Sequence, residues 1–192
     1  MSEAAELLRN AVAKATETLA RTVDLAEPLE RAASLISDCL RGGNKLLVCG
    51  NGGSAADAAE FTTEFACRFV HDRQPFPALN LSQGGSLITA TGNDYGFEEI
   101  FARQVSAFGK QGDVLVAIST SGNSPNIQRA LEEGKSRGLK TIALLGRDGG
   151  SAINIADIDL VVPGDSTARI QEAHKFLLHV ICEIVEPRLP PH

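Results

Sequence analysis

The sequence predicts an α/β fold in which a parallel sheet is covered by helices on both faces. Short apolar runs of strand length alternate with helical patterns from Lys45 onward. Strands buried on both faces read as such continuous runs. Two of the runs end in Gly/Ser/Asn loops that lead directly into helices, as in a doubly wound sheet. A chain of 192 residues with 43% hydrophobic content can bury a sizeable core, so one domain over 1–192 is expected.

The first forty residues read as two helices. Leu8, Val12, Ala15, Leu19 and Val23 recur at helical spacing. After Glu27-Pro28 a second run carries Leu29, Ala33, Ile36 and Leu40, and Gly42-Gly43 stops it. No strand precedes them, so 1–42 reads as an N-terminal helical extension to an α/β core in 43–192. Its apolar face either covers the domain or packs against a copy of itself in an oligomer.

Lys45 to Cys49 is the first strand, and a helix follows the loop Gly50-Asn51-Gly52-Gly53-Ser54 to about Phe69. Pro77 to Leu81 is a second strand. Leu87 to Ala90 opens a helical turn. Gly92-Asn93-Asp94-Tyr95-Gly96 reads as a turn opening the next helix, Phe97 to Phe108, with Asn93 or Asp94 as its cap. Asp113 to Ile118 is a strongly apolar strand, and Pro125 to about Ser136 is the helix beyond its loop. Thr141 to Leu145, stopped by Gly146, and Ile158 to Val162 are the last strands. A long helix fills Thr167 to about Glu186, before Pro187, Pro190 and Pro191. No linker, tandem repeat or low-complexity tract interrupts the pattern.

Composition excludes some functions. A net charge of −6 lacks the basic footprint of a general nucleic-acid binder. A small anionic ligand is still permitted, because backbone dipoles can hold a phosphate on an acidic protein. No apolar run approaches the ~20 residues of a membrane helix, and the start at Met1-Ser2-Glu3 lacks signal-peptide features. Cys39, Cys49, Cys67 and Cys182 show no CxxC spacing and fall in expected helices or strands. They read as buried, reduced thiols of a cytoplasmic protein.

Two segments share one design: CGNGGSAAD (Cys49 to Asp57) and ISTSGNSPN (Ile118 to Asn126). In each, a buried strand ends, a loop follows and a helix begins, which places free N–H groups at the carboxyl edge of the sheet. Neither is a GxxxxGK[ST] or GxGxxG loop. The second is the stronger phosphate cradle, since Ser119, Thr120, Ser121 and Ser124 supply four hydroxyls in six residues. Helix capping alone would explain one such loop; two in one short domain favour a ligand.

Glu60 and Glu64, at i and i+4, share one face of the helix after the first loop. They form either a solvated face or a like-charge pair that needs a metal ion or a shared proton. The second case can yield a general base with a shifted pKa. On the last helix, Gln171, Lys175 and His179 lie along one stripe. His179, among Phe176, Leu177, Leu178 and Val180, is either structural or an acid/base partner.

Four blocks in order, CGNGGSAADA (Cys49 to Ala58), TGNDYGFEEIFARQV (Thr91 to Val105), GDVLVAISTSGNSPNI (Gly112 to Ile127) and ARIQEAH (Ala168 to His174) with the following His179, resemble the phosphoheptose isomerases. These are a branch of the sugar isomerase (SIS) domain group, and the resemblance covers nearly the whole chain. It implies a five-stranded flavodoxin-like sheet and a homotetramer with sites at subunit interfaces. It also implies an aldose-ketose isomerase that converts sedoheptulose 7-phosphate to D-glycero-D-manno-heptose 7-phosphate through a cis-enediol. Under the resemblance, Glu64 and His179 are the acid/base pair, and Ser119, Thr120, Ser121 and Ser124 hold the phosphate. Asn51, Gly52, Gly53, Glu64, Asn93, Asp94 and Gln171 contact the substrate.

The resemblance further implies zinc, held by the positions of Glu60, Glu64, Gln171 and His179. Many members have histidine where this chain has Glu60. Glutamate can ligate zinc, but two carboxylates, an amide and an imidazole are a harder set than zinc usually takes. Two other readings remain open at this level. One is a non-catalytic SIS domain serving as a sugar-phosphate sensor or protein-binding scaffold. The other is an isomerase of a different phosphosugar.

Overall fold

The apolar runs become five strands: β1 (Leu46–Gly50), β2 (Ala78–Asn80), β3 (Val114–Ser119), β4 (Lys140–Gly146) and β5 (Ile158–Val162). In the computed structural model, which describes residues 2–190, they form one sheet in the order β2-β1-β3-β4-β5. Every pairing is parallel. This is the flavodoxin-like order, with a topological switch point between β1 and β3. Met1, Pro191 and His192, the ends of the expected 1–192 span, lie outside the described residues.

Seven helices are present among the described residues: α1 (Glu3–Arg21), α2 (Ala26–Arg41), α3 (Gly53–Ala66), α4 (Ser86–Tyr95), α5 (Ala102–Phe108), α6 (Pro125–Ser136) and α7 (Thr167–Val185). The alternation of side chains along a strand divides the core in two. Val114, Val116 and Ile118 of β3 face α2, α3 and α7 through Ile36, Phe61, Phe65 and Ile181. Leu115 and Ala117 face α5 and α6 through Val105, Ile127 and Leu131. At the far edge of β3, the fully buried Asp113 carboxylate accepts from the backbone N–H groups of Lys45 and Lys110 and pairs with the Lys45 ammonium. It ties the starts of β1 and β3 together.

The two N-terminal helices differ in kind. α2 is a core element: Ala32, Ala33 and Ile36 are fully buried against the sheet layer. It begins at Ala26, so Pro28 sits in its first turn, where a missing N–H costs nothing. α1 buries only Thr18. Its Leu7, Leu8 and Val12, with Val23 beyond it, are exposed. Arg169 donates to the Ala11 carbonyl and holds α1 onto α7.

Three expectations are corrected. The Gly92–Gly96 cluster closes a helix rather than opening one: Leu87 to Ala90 lie within α4, which runs to Tyr95 and stops at Gly96 with φ 96°. Glycine adopts that positive φ without a Cβ penalty, and the extended ψ there cannot continue a helix. Residues Phe97–Glu99 form a separate 3-10 turn before the short α5. The helix after the first loop ends at Ala66, not near Phe69. The Arg73 guanidinium takes the Glu64 and Phe65 carbonyls, and Phe76 N–H also binds Phe65. Cys67 therefore falls beyond the helix and is exposed, whereas Cys39, Cys49 and Cys182 are buried and all four are free thiols.

His174 is fully buried, and its Nε2 donates to the Leu145 carbonyl at 3.0 Å, joining α7 to β4. Nδ1 is buried without a partner. Burial holds the imidazole down to about 4, against the opposing effect of the Leu145 bond. In the unfolded chain it titrates near 6.5. The unfolded state thus binds the extra proton first, and stability is lost as pH falls from 6.5 toward 4. Between pH 7.5 and 5 this one group should remove about 2 kcal/mol, read as a fall in the urea midpoint at fixed protein concentration. His174→Gln should flatten that dependence.

Candidate active site

β1 and β3 are neighbours in register, Gly50 opposite Ile118. Their following loops therefore leave the sheet side by side at the switch point, and α3 and α6 present their N-termini there. Neither helix has a side-chain cap: Gly52 precedes α3, and the Ser124 hydroxyl makes no capping bond to α6. Ser124 Oγ instead lies 3.3 Å from Ser119 Oγ. Ser119 Oγ also accepts from Gly122 N–H, and Ser121 Oγ from Asn123 N–H. Gly122 has φ 65°, and a Cβ there would collide with the Gly149 carbonyl. Asn123 accepts from Ser151 N–H and Oγ, so the turn after β4 braces the loop.

The two loops are joined by a reciprocal amide pair. Asn51 Nδ2 donates to Asn126 Oδ1 and Asn126 Nδ2 to Asn51 Oδ1, both at 2.9 Å. Ser82 supports the first loop by donating to Gly50 O and accepting from Gly50 N–H. Asn51, Phe97, Glu98 and residues 123–126 line a depression of about 430 Å³, which falls in the range of small-ligand sites.

From the first loop the contacts run down the α3–α7 pair. Gln171 lies against Gly53 so closely that a Cβ at that glycine would overlap its amide. Behind it, Asp57 is 2% exposed, and its Oδ2 has no hydrogen-bond partner. Burial raises the Asp57 carboxyl above its usual range; Lys175 and the Gln171 amide oppose that rise. Lys175 Nζ is 3.7 Å from Asp57 Oδ1 and 2.5 Å from Glu60 Oε2. Glu60 Oε1 is 3.3 Å from His179 Nε2. The Lys175 hydrogen bond, working against desolvation, holds Glu60 below the usual carboxylate range.

Glu60, Glu64 and His179 offer ligand atoms that all lie within 4.8 Å of one another, a cluster that could hold a metal ion. Burial raises the Glu64 carboxyl; the His179 charge opposes this and the Glu60 and Glu186 charges add to it. The Glu64 backbone is fixed by Arg73, which is itself 3.5 Å from Glu186. Glu186 also accepts from the backbone N–H groups of Phe69, Val70 and His71. These bonds hold it below the usual range in spite of desolvation.

The structure thus joins Asn51, Gly52, Gly53, Gln171, Glu60, Glu64 and His179 to the loop of Ser119, Thr120, Ser121 and Ser124 by one path of contacts. Asn93 and Asp94 are exposed on the last turn of α4, where Asn93 Nδ2 donates to Asp94 Oδ1. They stand outside that path. Sequence reasoning did not single out Asn126, Ser82, Arg73 or Glu186. Asn126 alone had a signal, as the last residue of the second loop motif.

The flavodoxin-like sheet carries two anion-ready loops at its switch point, as an SIS domain does, and the SIS domain family matches residues 10–146. The phosphoheptose isomerase of Geobacter sulfurreducens is 54% identical over 168 residues, 88% of this chain and 89% of its own length. Solved phosphoheptose isomerases are similar throughout. That of Neisseria gonorrhoeae has a TM-score of 0.89 at 41% identity, over 95% of this chain and 98% of the other. That of Francisella tularensis has 0.92 at 38%, over 97% and 100%. The chain belongs to the phosphoheptose isomerase family.

Asn126 is 1% exposed, so Asn126→Ala leaves the Asn51 amide without its partner and loosens one loop from the other. A loss of about 1–3 kcal/mol is expected in urea unfolding, larger than for Asn51→Ala at the partly exposed end of the pair.

Proposed function

We propose that this chain converts sedoheptulose 7-phosphate to D-glycero-D-manno-heptose 7-phosphate, with Glu64 as the carbon acid/base and His179 as the oxygen acid/base. The observation that carries this reading is the position of Glu64. A partly desolvated carboxylate stands beside an imidazole, on the helix whose N-terminus shares the switch point with the serine loop. The phosphate is held by Ser119, Thr120, Ser121 and Ser124 with the N-terminus of α6, and its binding energy positions the distant reacting carbons. Asn51, Gly52, Gly53 and Gln171 bind the sugar hydroxyls; Asn93 and Asp94, outside the path of contacts, reach the sugar where the site is shared between subunits.

The chemistry is one proton moved between adjacent carbons and one between adjacent oxygens. Glu64 removes a proton from C1 of the open-chain ketose, the C1–C2 double bond of a cis-enediol forms, and His179 gives a proton to O2. His179 then takes the O1 proton as Glu64 returns its proton to C2. Desolvation at Glu64 raises its carboxyl above the usual range, which increases its basicity for this task.

The residues do not fit a resident zinc. The set of Glu60, Glu64, Gln171 and His179 is harder than zinc usually takes, and both oxygens of Glu60 already have partners. No step above uses a metal. The described residues form one SIS domain in this reading. The exposed apolar face of α1 supports packing of the N-terminal helices in a homotetramer, with sites at subunit interfaces. No described helix is long and apolar enough to cross a membrane. The free cysteines agree with a cytoplasmic setting.

Sedoheptulose 7-phosphate, offered beside hexose and pentose phosphates, should be the substrate turned over fastest; no turnover of any would sink the reading. Glu64→Gln should lower kcat by about 10²–10⁴-fold. The acid limb of the wild-type kcat/KM profile reports loss of the Glu64 anion, so it should lie above the ~4.3 of an ordinary glutamate.

A further inference from the structure

Asp57, Glu60 and Glu64 project from α3 at intervals of three and four residues, so three carboxylates gather along one side of the helix. The pair Asp57 and Glu60 is answered by one cation. Lys175 rises from α7 one turn from both Gln171 and His179, and its Nζ lies between Glu60 Oε2 at 2.5 Å and Asp57 Oδ1 at 3.7 Å. Asp57 is buried, its Oδ2 is unpartnered, and Lys175 is the one cation paired with it among the described residues. A buried carboxylate with so little hydrogen bonding needs a counter-charge.

A metal ion would need the same atoms. An ion bound to Glu60 sits ~2.0–2.2 Å from the carboxylate oxygen, which brings a dication within a few ångströms of the ammonium already there. The other Glu60 oxygen faces His179 Nε2.

We propose that Lys175 is the resident cation of this site: a positioning residue that neutralises Glu60 and Asp57 and closes the cluster to a divalent ion, so that the chain isomerises its substrate without metal. The last clause rests on the isomerase reading; the exclusion of metal does not.

The test measures zinc affinity by calorimetry on the full chain, as wild type, Lys175→Met and Lys175→Arg, with turnover followed before and after chelation. Lys175→Met keeps the apolar stem and removes the charge, and the side chain it replaces is 44% exposed. Lys175→Met should bind one zinc per chain at least about tenfold more tightly than wild type, and adding Glu60→Gln should abolish the gain. Lys175→Arg should stay close to wild type, and wild-type turnover should survive chelation. Wild type that retains one zinc per chain through dialysis, or loses turnover on chelation and regains it with zinc, overturns the proposal. So does a Lys175→Met variant with no gain in affinity. No wild-type turnover in any condition counts against the isomerase reading instead, while the zinc affinities still decide the role of Lys175.

Discussion

The parallel pairing of β1 with β3 is the constraint on which the site depends. Chain order places β2 after β1, yet β2 lies on the outer side of β1, and β3 takes the inner side. The chain therefore leaves β1 and β3 toward opposite faces of the sheet, and the two loops stay adjacent at its carboxyl edge. Asp113 fixes the other end of the same pair through Lys45 and Lys110, so the register is held at both ends. A slip of one residue would turn Val114, Val116 and Ile118 into the wrong helical layer and move Gly50 away from Ile118.

The carboxylate–imidazole cluster is placed by a second, independent device, the packing of α3 on α7. Phe61 and Phe65 meet edge to face at 5.1 Å and bury the apolar side of α3. Asp57, Glu60 and Glu64 are left along the flank toward α7, whose stripe of Gln171, Lys175 and His179 supplies the partners. Arg73 and Glu186 then lock the far end. Glu186 gathers three backbone N–H groups of the segment after α3, and Arg73 closes the last carbonyls of that helix. The carboxylate of Glu64 is thus aimed by its helix, and its helix is ended by an ion pair that is itself almost fully buried.

The strands were legible in the sequence because they are buried on both faces. DVLVAI and TIALL carry enough apolar residues in a row to be read without tertiary information, and the β5 run and the α6 helix agree with the structure at both ends. The misreadings have two causes. The end of α3 is set by Arg73, seven residues beyond Ala66, and no local pattern announces a side chain that returns to cap carbonyls. Gly92 to Gly96 carries the same residue types at either end of a helix, so its direction was ambiguous; the structure resolves it through the positive φ of Gly96. In the site, Glu64, His179 and the serine loop were visible as motifs. Lys175 was visible only as one member of a stripe, because its partners lie 115 residues away at Glu60 and further still at Asp57.

These two devices place different demands on the chain. Anion binding at a switch point needs only backbone N–H groups, helix N-termini and small side chains, and any strand–loop–helix pair of the right shape provides it. The side-chain cluster on α3 and α7 is less forgiving, because every carboxylate gathered there must be matched by a proton, a metal or an ammonium. Exchanging one countercation for another changes two residues on facing helices and leaves the sheet, the loops and the phosphate cradle untouched. Glu60 and Lys175 are such a pair. Lys175 answers both Glu60 and the buried Asp57, so the ammonium and the two carboxylates are matched within the cluster, beside the desolvated Glu64 carboxylate.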